Sequence, residues 1–87
     1  MISKLIGNYV NKMTINDVKN FALSNNINLN NTELDIVYNT IKKNWYTLIY
    51  GDYTSIFNNI KDKFDTDTYK KIEELFFYFK NKYQKFL

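Results

Sequence analysis

Nine carboxylates, Asp17, Glu33, Asp35, Asp52, Asp62, Asp65, Asp67, Glu73 and Glu74, are the side chains best suited to general acid–base work or to holding a hard metal ion. The sequence has no histidine and no cysteine, which removes the commonest general base, the commonest metal ligand, thiolate nucleophiles and disulfides. Either use of the acids needs two or three of them to converge in a cleft. Asp65-x-Asp67 comes nearest to a metal pattern, but it lacks the further alternate oxygen ligands, the turn glycine and the closing glutamate of a calcium loop. Two acids beside Thr66 and Thr68 suit the amino end of a helix instead. Glu73 and Glu74 follow Lys70 and Lys71 at the spacing of exposed ion pairs on a helix. No glycine-rich phosphate loop and no nucleophile elbow is present. The residues therefore predict a protein without catalytic activity, cofactor or metal.

Binding is the chemistry that remains, and two sets of residues offer it. All twelve basic residues are lysine, against nine acids, for a net charge of +3 and a pI near 9.0. Arginine, whose fork reads guanine and clamps phosphate, is absent. Lys42, Lys43, Lys61, Lys63, Lys80, Lys82 and Lys85 are the candidates to track phosphates, with Tyr46, Tyr50 or Tyr53 to stack bases, in a backbone-led mode of nucleic-acid binding. A solvated lysine face is the plainer account of the same residues, and fourteen asparagines with abundant lysine, isoleucine, tyrosine and phenylalanine fit the drift of an AT-rich genome. The second set is aromatic. Trp45, Tyr46, Tyr50, Tyr53, Phe77 and Tyr78 exceed what helical core stripes require and are the candidate protein interface, because such side chains concentrate at binding hot spots. The leading expectation is a protein-interaction or self-association module, with a homodimer possible, and the alternative is a nucleic-acid accessory protein.

The elements that must position these residues are helical. There is no proline, and Gly7 and Gly51 are the only glycines, so tight hairpins have little to build on. Ile2, Leu5, Ile6, Tyr9, Val10 and Met13 recur at three- and four-residue steps and predict a helix over about 2–12. Thr14 opens a second helix, capping the Asp17 N–H, with Ile15, Val18, Phe21 and Ala22 facing inward until Ser24-Asn25-Asn26 stops it. Ile27 and Leu29 are apolar plugs in an extended link. Asn30-Asn31-Thr32-Glu33 caps a third helix over about 32–45, with Lys42 and Lys43 near its negative end. Tyr46–Tyr50 reads equally as a short extended piece or a last helical turn. Asp52 and Thr54 or Ser55 cap a fourth helix carrying Ile56, Phe57, Ile60 and Phe64, and a fifth follows with Tyr69, Ile72, Leu75, Phe76, Phe79, Tyr83 and Phe86 on its stripe. Phe77 and Tyr78 fall outside that stripe. The expected fold is one all-α domain over 1–87, a compact bundle of four to five short helices with a helix-extended-helix unit near its start.

Residues 14–44 resemble in outline the helix-extended-helix modules of SAP and LEM domains, which bind DNA and a chromatin protein respectively, although the linker glycine and basic residues of a SAP domain are missing. Over its whole length the chain resembles the YqfT-like family of short uncharacterised proteins from Bacillus and related Firmicutes. The likeness rests on Met13-Thr14-Ile15-Asn16-Asp17-Val18, on the Asn26-Ile27-Asn28-Leu29 link, on the break at Gly51-Asp52, and on Glu74-Leu75-Phe76 in an aromatic final helix. It implies a cytoplasmic bacterial protein and carries over no functional residues. No stretch approaches the ~20 continuous apolar residues that cross a bilayer, and no targeting signal stands out, so the expected setting is the cytoplasm, away from membranes.

Overall fold

A computed structural model describes residues 2–84; the expectations for Lys85 and Phe86 lie outside the described residues. Five α-helices follow in order: α1 (Ile2–Lys12), α2 (Ile15–Ser24), α3 (Asn31–Tyr50), α4 (Thr54–Ile60) and α5 (Thr66–Gln84), with a single 3-10 turn at Lys61–Lys63 between the last two. Among the described residues there is no strand. The fold is all-α, as the periodicity predicts.

Local chemistry sets the helix starts. Thr14 Oγ1 accepts from Asp17 N at 3.2 Å while Asp17 Oδ2 accepts from Thr14 N at 2.9 Å, a reciprocal box in which aspartate does the work of the longer glutamate. Asn30 and Glu33 make the same exchange at the head of α3, both bonds at 2.8 Å. Asn26 ends α2 in the left-handed region with φ 62°, the conformation asparagine tolerates best after glycine. The chain then turns through Ile27 and Leu29, both buried against the helices. α2, this link and α3 follow one another as helix, irregular link and helix.

One boundary differs from the expectation. Of the two readings of residues 46–50 the helical one holds, and α3 continues through a kink as far as Tyr50, with non-helical backbone at Asn44 (φ −126°, ψ 15°). Three side chains on this stretch turn back on their own helix, Asn39 Nδ2 to Asp35 O at 2.9 Å, Thr40 Oγ1 to Ile36 O at 2.7 Å and Asn44 Nδ2 to Thr40 O at 3.1 Å. Such back-bonding competes with the helical ladder and bends it. The bend lets Leu48 and Ile49 bury in the same core as Val37 and Ile41, and that burial outweighs the β preference of the local sequence. Lys42 and Lys43 consequently sit in the middle of α3, away from its carbonyl end.

α3 is the axis of the bundle, with α1, α2, α4 and α5 all packed against it. The core runs from Ile6 and Val10 through Val18, Val37, Ile41, Leu48 and Ile49 to Ile72, Leu75, Phe76 and Phe79. Phe57 of α4 stacks on Phe76 of α5 with centroids 5.6 Å apart and planes 17° from parallel. A radius of gyration of 12.3 Å is what close packing gives a chain of this length. No helix among the described residues is long and apolar enough to cross a membrane.

Candidate functional site

The carboxylates are dispersed, with Asp17, Glu33, Asp52, Asp65 and Asp67 at helix starts, Asp35 within α3, Asp62 on the 3-10 turn, and Glu73 and Glu74 within α5. Asp17 and Glu33 are held in the two capping boxes. Asp52 accepts from Thr54 N at 3.0 Å and Asp65 from Thr68 N at 2.7 Å, so each braces the first turn of the helix that follows. The first residue pair explains the entry to α4, whose own cap position, Tyr53, supplies no side-chain hydrogen bond. Both carboxyls lie below the usual range: Asp52 through the Thr54 hydroxyl and N–H, Asp65 through the Thr68 N–H and hydroxyl. Asp65-x-Asp67 is therefore a helix start. Among the described residues no group of three acids is placed to hold a metal ion.

The six aromatic candidates divide around the corner where α3 meets α4. Trp45, Tyr46 and Tyr50 form one run along α3, with Tyr46 edge-on to Trp45 at 5.6 Å and tilted against Tyr50 at 4.8 Å. Across the turn at Gly51, Tyr53 meets Phe57 at 4.8 Å and takes Phe77 of α5 edge-on at 5.5 Å. Tyr46, Phe77 and Tyr78 are exposed, by 58%, 38% and 42% respectively, whereas Trp45, Tyr50 and Tyr53 are partly buried against the core. Trp45 is seated on α1, where Gly7 leaves room for the indole. Tyr78 is not part of either run, because one residue turns a helix by about 100°. Tyr46 on α3 and Phe77 on α5 are thus the exposed members of the two runs, with Tyr50 and Tyr53 as their partly buried neighbours. The Tyr50 hydroxyl is buried and has no hydrogen-bond partner among the described residues.

The lysines occupy several places. Lys42 donates to Asn11 O at 2.7 Å, neutralising the carbonyl end of α1, and lies 5.6 Å from the Tyr38 ring. Lys80 sits 5.1 Å from the Tyr53 ring, at the aromatic corner. Lys82 lies 5.3 Å from Phe21 and 5.7 Å from Tyr83. Lys43 and Lys63 flank a polar hollow of about 300 Å³ at the bend of α3, shared with Asn39, Asn44, Asn59 and the carboxylate Asp35. Lys61 is exposed on the 3-10 turn.

A larger feature is not visible in the sequence pattern. The carboxyl ends of α1 and α5 and the inner side of α2 enclose an open groove of about 510 Å³, walled by Tyr9, Phe21, Phe79 and Tyr83 and edged by Lys12 and Lys82. Tyr9, Phe21 and Tyr83 each read as members of a core stripe; the meeting of three helices brings them onto one wall. Burial, with the neighbouring Tyr9, raises the Tyr83 phenol above its usual range. No family model, curated protein or solved structure matches this chain. The likeness to the YqfT-like family accordingly rests on the quoted motifs alone.

Proposed function

We propose that the chain is a protein-interaction module that works by association and without catalysis, with a second copy of itself as the first partner. The observation that carries this reading is the exposure of aromatic side chains on either side of the Gly51 turn, Tyr46 of α3 against Tyr50 and Phe77 of α5 against Tyr53. Aromatic side chains ringed by polar residues are the usual anchors of a protein interface. A small domain also leaves a large share of its apolar surface uncovered, and a copy of itself covers it. The single tryptophan reports on this surface because Tyr46 stands edge-on to it. Raising the protein concentration is expected to shift Trp45 emission to the blue as water leaves the corner, and Phe77→Ser to abolish the shift.

The alternative is a nucleic-acid accessory protein, and the placement of Lys43 and Lys63 on one hollow beside Lys61 is the feature that favours it. That reading expects retention on immobilised single-stranded DNA or RNA that falls steeply with salt.

A further inference from the structure

We infer that the groove between α1, α2 and α5 is a binding site for a small aromatic carboxylate. Its walls are flat and apolar: Phe21, Phe79 and Tyr83 with the ring of Tyr9, over a floor of Val18 and Ile41. Its volume of about 510 Å³ falls within the ~300–1,000 Å³ typical of small-ligand sites. Two lysines, Lys12 and Lys82, line it against one acid, Asp17. Asp17 keeps its charge but is tied into the α2 capping box through Thr14 N at 2.9 Å, and two lysines against one acid leave the lining net positive. Lys82 is already poised: its ammonium lies over both Phe21 and Tyr83, at 5.3 and 5.7 Å, where an anion seated between the rings would meet it. Asn20, Ser24 and the two tyrosines supply neutral polar atoms on the same walls.

Charge and shape together exclude the obvious rivals. A cation would face Lys12 and Lys82, and a fully hydrated anion such as phosphate would leave the aromatic walls uncovered. An aryl carboxylate satisfies both, with its ring on the walls and its charge at the lysine edge. The site uses none of the residues at the α3–α4 corner and stands or falls independently of it.

The test uses the full chain and naphthoate as the probe, with naphthalenemethanol as its neutral counterpart, followed by amide NMR. Naphthoate is expected to bind saturably, moving signals of Tyr9, Asn20, Phe21, Phe79 and Lys82, and the alcohol to bind about tenfold more weakly for want of the charge-assisted contact. The double variant Lys12→Gln/Lys82→Gln, both at solvent-facing positions, is expected to keep its spectrum and bind the two probes alike. Absence of saturable naphthoate binding overturns the assignment. So do equal affinities for acid and alcohol in the unaltered protein, an unchanged preference in the double variant, or shifts centred on Tyr46 and Phe77.

Discussion

Gly7→Ala sets two effects of opposite sign against each other at the contact between α1 and α3. Gly7 lies inside α1, where alanine in place of glycine is favoured by roughly 0.5–1 kcal/mol on backbone grounds. The added Cβ, however, would stand 2.9 Å from Trp45 Cζ2 and 3.3 Å from its Cη2. Carbon atoms pack best at about 3.5–4.0 Å, so the indole must retreat by ~0.6 Å or more. The indole is not free to do so cheaply, being partly buried against the core and edge-on to Tyr46. Overpacking of this kind costs about 1–3 kcal/mol, and the clash wins. The net loss is expected to be about 1–2 kcal/mol, which for a domain of this size lowers Tm by roughly 4–15 °C. Thermal unfolding followed by circular dichroism measures it. The decisive control is the same change in a Trp45→Leu background, where the obstacle is gone and Gly7→Ala is expected to stabilise by roughly 0.5–1 kcal/mol. Stabilisation of equal size in both backgrounds would refute the α1–α3 packing described here.

Four further outcomes follow from named contacts. Tyr50→Phe removes a buried hydroxyl that has no partner among the described residues and is expected to raise stability by about 1 kcal/mol in urea unfolding; a loss would show that the hydroxyl is paired. At Asn26, φ 62° predicts that glycine is tolerated while valine costs roughly 1–2 kcal/mol, and equal stability of the two variants would contradict the left-handed turn. Leu75→Ala, at a position fully enclosed by the core, is expected to cost about 2–5 kcal/mol, and a loss below 1 kcal/mol would place Leu75 outside the core. The carboxyls of Asp52 and Asp65 titrate below their unfolded values, so their contribution to stability is present above the unfolded carboxylate pKa, near 4, and fades as pH falls through the lower folded values. Asp65→Asn is expected to flatten that acid limb in a pH series of melting curves, and an unchanged limb would contradict the Asp65–Thr68 contact.

Much of this architecture is legible from residue types because the helix starts are written in short-range chemistry. Thr14 with Asp17, and Asn30 with Glu33, are capping pairs at fixed spacing, and Asn26 marks its own stop. The course of 46–50 is not legible in this way, since Tyr, Thr and Ile at these positions favour a strand locally and only the burial of Leu48 and Ile49 keeps them helical. The bend at Asn44 has a visible cause afterwards, three polar side chains returning to their own helix, but asparagine is so frequent here that none of the three stands out in advance. The candidate surface is legible in part. Exposure at Tyr46, Phe77 and Tyr78 follows from their position off the apolar stripes, whereas the partial burial of Trp45 depends on a glycine in another helix. The groove at the carboxyl end of α5 depends on the meeting of three helices and has no signature in any one of them.

Self-association through Tyr46 and Phe77 is read out by size-exclusion chromatography with light scattering at low and high salt, with the ultraviolet absorbance ratio recorded for bound nucleic acid. A nucleic-acid-free dimer that withstands salt is expected of the unaltered protein, and a folded monomer of Tyr46→Ser/Phe77→Ser. A monomer at every concentration, or a sample carrying nucleic acid that salt removes, would contradict it.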